Sequence, residues 1–167
     1  MLNTFLQHLA LVSAGRDRQA LQPITEAIAR EFNTQAVTSA GLNLKAAAST
    51  LAKTGAAAFY GTVLGRLVTI AAATDMPALT GLTITAASFN VACFFIDSAG
   101  VVTVRFGTEG TAIVRVKFPD FPLDRALVGF LLITHASAFT GGTTALDAAT
   151  TVYVSPTGAF DPTILFS

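Results

Sequence analysis

The chain has 167 residues, enough for one domain or one domain with an arm. It is 52% hydrophobic and 12% charged, with a formal net charge of +0 at pH 7, so no electrostatic feature favours nucleic acid or an anionic membrane as partner. Charged residues usually make up about a quarter of a soluble chain; their scarcity fits a surface covered by other copies or by a large assembly, with a compact monomer rich in surface Thr and Ser as the alternative. The single cysteine, Cys93, excludes an internal disulfide framework. It lies in the apolar run Val91–Ile96 and reads as a buried structural thiol. No apolar run approaches the roughly 18 residues of a membrane span. The N-terminus lacks a basic leader and is interrupted by Gln7 and His8, so it does not read as a signal peptide, and use or assembly inside a cell is expected.

Leu2, Phe5, Leu6, Leu9 and Val12 fall on one face of a helix ending near Gly15. A second helix is expected over Pro23–Phe32. Pro23 suits the first helical position, and Ile24, Ala27, Ile28 and Phe32 share a face. Glu26 and Arg30 add a favourably ordered pair four residues apart. Together residues 1–33 form a helical arm turning around Arg16–Arg18. Short helices are marginal alone, so this stripe must be buried, either on its own domain or against other copies or a partner.

Beyond Asn33 the composition shifts, and residues 34–167 read as a β domain ending in an apolar tail. Short strands are expected within 42–45 and 50–54, and a hairpin of Ala57–Val63 with Arg66–Ala71 about Leu64-Gly65. Residues 74–81 read as a loop that allows one helical turn at Pro77–Leu79, and Leu82–Thr85 alternates again. The clearest signal spans Ser88–Phe118. It reads as strand, a tight turn at Asp97-Ser98-Ala99-Gly100, strand, loop, and a third strand with Val114, Val116 and Phe118 opposite Arg115 and Lys117. Val91, Cys93, Phe94 and Ile96 are expected to pack against Val102 and Val104. Pro119–Arg125 is a turn. Ala126–Thr134 is apolar on both faces and suits a doubly buried strand in which Gly129 allows close approach, with a buried helix as the alternative. A loop over 135–150 and a last strand at 151–154 follow. The tail's Phe160, Ile164, Leu165 and Phe166 are expected to dock on this or a neighbouring subunit. The fold class is therefore mainly β, an antiparallel sandwich or jelly-roll-like domain with a helical arm.

No catalytic, metal or cofactor signature emerges. His8 and His135 with one Cys give no zinc spacing, and no nucleophile elbow accompanies His135. Asp120 and Asp124 lack the dense oxygen ligands of a calcium loop. Gly107-Thr108-Glu109-Gly110 lacks the helical, basic setting of a nucleic-acid clamp, and Gly141-Gly142 precedes no Lys and opens no helix. A glycan-cleaving enzyme would need a carboxylate pair that is not evident.

Several words in fixed order carry a resemblance. They are Leu51-Ala52-Lys53-Thr54 with Ala58-Phe59-Tyr60-Gly61, then Thr74-Asp75-Met76-Pro77-Ala78-Leu79. Ser88-Phe89-Asn90-Val91, Phe95-Ile96-Asp97-Ser98-Ala99-Gly100 and Gly141-Gly142-Thr143-Thr144-Ala145-Leu146-Asp147 follow. Within residues 41–166 the chain resembles small structural proteins of tailed-bacteriophage virions; the arm does not contribute. The resemblance implies a non-enzymatic, cofactor-free virion component, assembled in the host cytoplasm and binding neither nucleic acid nor membrane. It implies further a homo-oligomer, a trimer by preference, that decorates or cements a capsid by contacting the major capsid protein or another virion protein. A head-fibre or tail component displaying the 135–150 loop for host attachment is the alternative. The expected partner contacts are Leu2, Phe5, Leu6, Leu9, Ile24, Ile28 and Phe32 of the arm, and Phe160, Ile164, Leu165 and Phe166 of the tail.

Overall fold

The computed structural model describes residues 33–158 and Phe160. The expected arm helices over 1–32, and the tail beyond Phe160, lie outside the described residues. What is described is mainly β, and all its strand pairs are antiparallel.

The central sheet joins the longest apolar runs. β7 (Phe89–Asp97) pairs with β8 (Val102–Phe106) on one side and β9 (Arg125–Thr134) on the other, and β11 (Thr150–Val154) completes the order β11-β9-β7-β8. Asp97–Gly100 is the tight turn between β7 and β8, with Gly100 at φ +84 and its N–H donating to Asp97 O. Both faces of β7 and β9 are buried, as the continuous apolar run over 126–134 predicts. Ala92, Phe94 and Ile96 face the larger core with Val128, Leu131 and Ile133, whereas Val91, Cys93 and Phe95 face a second cluster with Leu127 and Phe130. The expectation of one shared packing set for Val91, Cys93, Phe94 and Ile96 is corrected here, since successive strand residues point to opposite faces. Val102 and Val104 join only the Phe94 side. A bulge shifts the register where Phe94 pairs with Gly129 and Phe95 with Leu127, leaving Val128 extra on β9.

A second, three-stranded sheet has the order β1-β4-β5, from β1 (Gln35–Ala36), β4 (Phe59–Val63) and β5 (Arg66–Ile70). The predicted hairpin about Leu64-Gly65 is present. Its inward residues Phe59, Val63, Val68 and Ile70 complete the larger core, and each such side chain contributes about 1.5–3 kcal/mol through burial. Two short ladders close this core: β2 (Asn43–Leu44) with β3 (Ala52–Lys53), and β6 (Thr83–Ile84) with β10 (Phe139–Thr140). β10 lies inside the expected 135–150 loop, which is thus tied to the body.

Two further expectations fail. Pro77–Leu79 form no helical turn; just before them Met76 N–H donates across to Ala52 O and draws the segment out along β3. The third strand of the 88–118 unit is replaced by a fold-back containing a 3-10 turn, Ile113–Arg115. Thr108 and Lys117 exchange backbone hydrogen bonds at 2.8 and 3.2 Å. A Cβ on Gly107 would lie 2.2 Å from Lys117 O, and one on Gly110 would lie 2.6 Å from Arg115 C, so the fold-back needs both glycines. Val116 is buried but Val114 is 66% exposed, so the expected apolar face is not continuous.

Candidate functional site

The second cluster is aromatic because the turn after residue 118 lays its rings over the outer face of β7 and β9. Phe118 meets Phe130 edge-on at 5.1 Å, and Phe121 meets Phe95 at 5.2 Å. Phe160 arrives from the tail and stacks on Phe121 at 6.1 Å, with Phe130 at 5.4 Å. Such pairs contribute about 0.5–1.5 kcal/mol each beyond their buried area.

Beside these rings a pocket of ≈ 130 Å³ opens between Leu127, the Phe121-Pro122-Leu123 turn, β1 and Phe160. Leu123 stands on its rim, 75% exposed. Arg125 also lines it, with Nη1 donating to Thr103 Oγ1 at 2.8 Å and Nε 4.0 Å from Asp124 Oδ1. The tail reaches this place because Gly158 bridges to Ala36, its N–H donating to Ala36 O at 2.7 Å. Upstream, Ser155 Oγ accepts from Leu42 N–H and Ser155 O accepts from Ser39 Oγ.

β1 is a shared wall, and on its other side lies the tip of the β4–β5 hairpin. Gly65 N–H donates to Asn33 O, and Leu64 N–H donates to Thr34 Oγ1. Leu64 sits at φ +51 and is 50% exposed, with Leu67 beside it at 68%. A bulky residue at positive φ costs roughly 1–2 kcal/mol. Leu64 and Gly65, at φ +51 and +77, are the two central residues of the hairpin turn between Val63 and Arg66, whose geometry asks for positive φ at both. Asn33, Phe160, the pocket and the tip of the β4–β5 hairpin therefore gather about β1.

Of the residues expected at a partner contact, Phe160 lies in the aromatic cluster. Leu2, Phe5, Leu6, Leu9, Ile24, Ile28, Phe32, Ile164, Leu165 and Phe166 lie outside the described residues. Leu64, Leu67 and Leu123 were not singled out in the sequence. Leu123 had a signal, an apolar residue between Pro122 and Asp124 in a turn, and Leu64 had one in taking a turn position that favours Asn or Gly.

The polar groups weighed as chemistry serve local structure. His135 Nδ1 closes a turn with Ser137. At Asp120 it is the backbone carbonyl that is engaged, accepting from Arg105 Nη1 at 3.2 Å. Glu109 Oε2 accepts from Thr85 N–H at 3.0 Å, which holds its carboxyl below the ordinary value. Burial pushes the Cys93 thiol far up, away from reactive thiolate. Among the described residues no three His, Cys, Asp or Glu side chains gather as a metal site, and no helix is long and apolar enough to cross a membrane. No protein-family model, curated protein or solved structure matches the chain.

Proposed function

We propose that this protein is a non-enzymatic virion component that binds the outside of a bacteriophage capsid as a homo-oligomer, a trimer by preference. In this reading the two packed sheets are the layers of a sandwich or jelly-roll-like body, and residues 1–33 are a helical arm. The body positions contacts that run across seams between shell subunits, and each bound copy shifts the assembled shell toward stability through buried area.

The observation that carries the reading is the packing together of the words behind the resemblance. Thr54 Oγ1 accepts from Thr74 N–H, and Met76 N–H donates to Ala52 O. A Cβ on Gly141 would strike Leu79 O, and just before the first word Ala48 N–H donates to Asp147 Oδ2 while Ser49 O accepts from the adjacent Leu146 N–H. Ordered words that meet in space are what a shared fold leaves in a sequence. The low charge and the exposed leucines beside the arm's point of departure add a surface suited to a large assembly. The alternative, a fibre or tail component displaying the 135–150 loop, gains nothing from that loop, since Phe139 and Leu146 are buried.

Deleting residues 1–33 tests the mechanism. The truncated protein is expected to keep its β spectrum while losing co-sedimentation with shells of the encoding phage by at least tenfold. Undiminished co-sedimentation and an unchanged oligomer size would remove the arm from the contact.

A further inference from the structure

We infer that β5 is the edge by which two copies of this chain pair, antiparallel and about a twofold axis at Val68, so that their three-stranded sheets continue as one. This goes beyond the shell-binding reading and stands without it. An isologous contact of this kind closes a pair, so it would tie one trimer to the next and is not the contact that forms a trimer.

β5 ends the order β1-β4-β5. Which of its backbone groups are free follows from β4. Tyr60 O accepts from Val37 and Thr38 N–H, and Tyr60 N–H donates to Thr38 Oγ1, so the Tyr60 backbone is turned toward the β1 side. Antiparallel ladders alternate, so Phe59, Gly61 and Val63 bond to their partners Ile70, Val68 and Arg66. The N–H and C=O groups of Leu67 and Thr69 are left pointing out of the sheet edge, and among the described residues no hydrogen bond reaches them. Such an edge is a template for another strand, and this one has none of the Pro, Lys or bulge that blunts an edge.

The edge fits itself. A second β5 laid antiparallel, with Val68 opposite Val68, sets Leu67 against Thr69 of the other copy and Thr69 against its Leu67. Both are then hydrogen-bonded pairs, in which every free N–H and C=O of these residues finds a partner. Arg66 falls opposite Ile70, so no like charges meet. On the outward face the exposed Leu67 lies beside Thr69 of the other copy, with that copy's exposed Tyr60 next in the row. A slip of one residue would oppose outward Leu67 to inward Val68, which fixes the register. One strand pair is small beside the roughly 1,200–2,000 Å² of a standard interface, so the pairing is expected to be weak in dilute solution and to strengthen where copies crowd together.

The test uses the full chain without any shell, so its result is independent of capsid binding. Leu67→Cys and Thr69→Cys are prepared as separate variants, both at exposed positions, and Cys93 stays in place because it is buried. Mixed at high concentration under mild oxidation, they are expected to give a covalent dimer holding one chain of each kind. The register opposes the two positions at about 5.5 Å between Cα atoms, within disulfide reach. Either variant alone sets its thiols on the diagonal, roughly 7–8 Å apart, and should cross-link at least tenfold more slowly. On the unmodified chain, amide exchange at Leu67 and Thr69 should slow at least tenfold between dilute and concentrated solution, while Val68, already paired with Gly61, changes little. Cross-linking no faster in the mixture than in either variant alone would overturn the register. Exchange at Leu67 and Thr69 that ignores concentration would overturn the contact.

Discussion

Asp97 shows how a single residue sets the central hairpin. Its Oδ1 accepts from Val101 and Ala99 N–H, both at 2.9 Å. These bonds, Val101's foremost, hold its carboxyl below the ordinary value, and Arg125 assists. A carboxylate whose folded pKa is lowered stabilises the fold above the unfolded value and loses that contribution as pH falls through the folded one. Asn at this position keeps an acceptor oxygen but carries no charge. The melting temperature of the parent should therefore exceed that of Asp97→Asn at neutral pH, with the gap closing below about pH 4. A gap that stays constant from pH 7 to pH 3 would show that the charge plays no part.

Among the strands, β9 has a close approach of its own at Gly129. A Cβ on Gly129 would stand 2.5 Å from Val154 O and 2.6 Å from Leu42 Cδ1, so the neighbouring strand and the loop before β2 both press on bare backbone. Gly129→Ala should cost about 1–3 kcal/mol by overpacking, or roughly 2–4 °C of melting temperature per kcal/mol for a chain of this size. An unchanged thermal melt would mean that β9 has room the packing denies.

The sequence made the long elements plain. β7 and β9 are unbroken apolar runs bounded by turn residues, and Gly129 announced its own crowding. The β4–β5 hairpin followed from Leu64-Gly65 between alternating residues. The failures were non-local. Residues 111–118 have strand-like alternation, but the approach of Gly107 and Gly110 to residues 115–117 folds them back, and glycine's role in close contact leaves no periodic trace. Two-residue β10 is too short for any periodicity and exists because Ile84 and Thr83 offer it a partner. The pocket was invisible for the same reason, being assembled from β1, β9, the 121–123 turn and the tail. Phe160, the one expected contact residue among the described residues, lies at its wall.

A doubly buried central sheet frames the described body, and Asn33, Phe160, the pocket and the exposed Leu64 lie about β1. Zero net charge and few charged side chains leave copies little mutual repulsion, which suits dense coverage of a shell. A homo-oligomer placed over seams would act through area, so partial loss of contact should weaken attachment steeply while leaving the body folded. The proposed place on a capsid is tested by imaging intact virions of the encoding phage at side-chain resolution. Under that proposal the chain is expected on the outer head surface, in symmetric groups over joints between shell subunits, with residues 1–33 against the shell. The chain found only in the tail or a fibre, or missing from the particle, would contradict it.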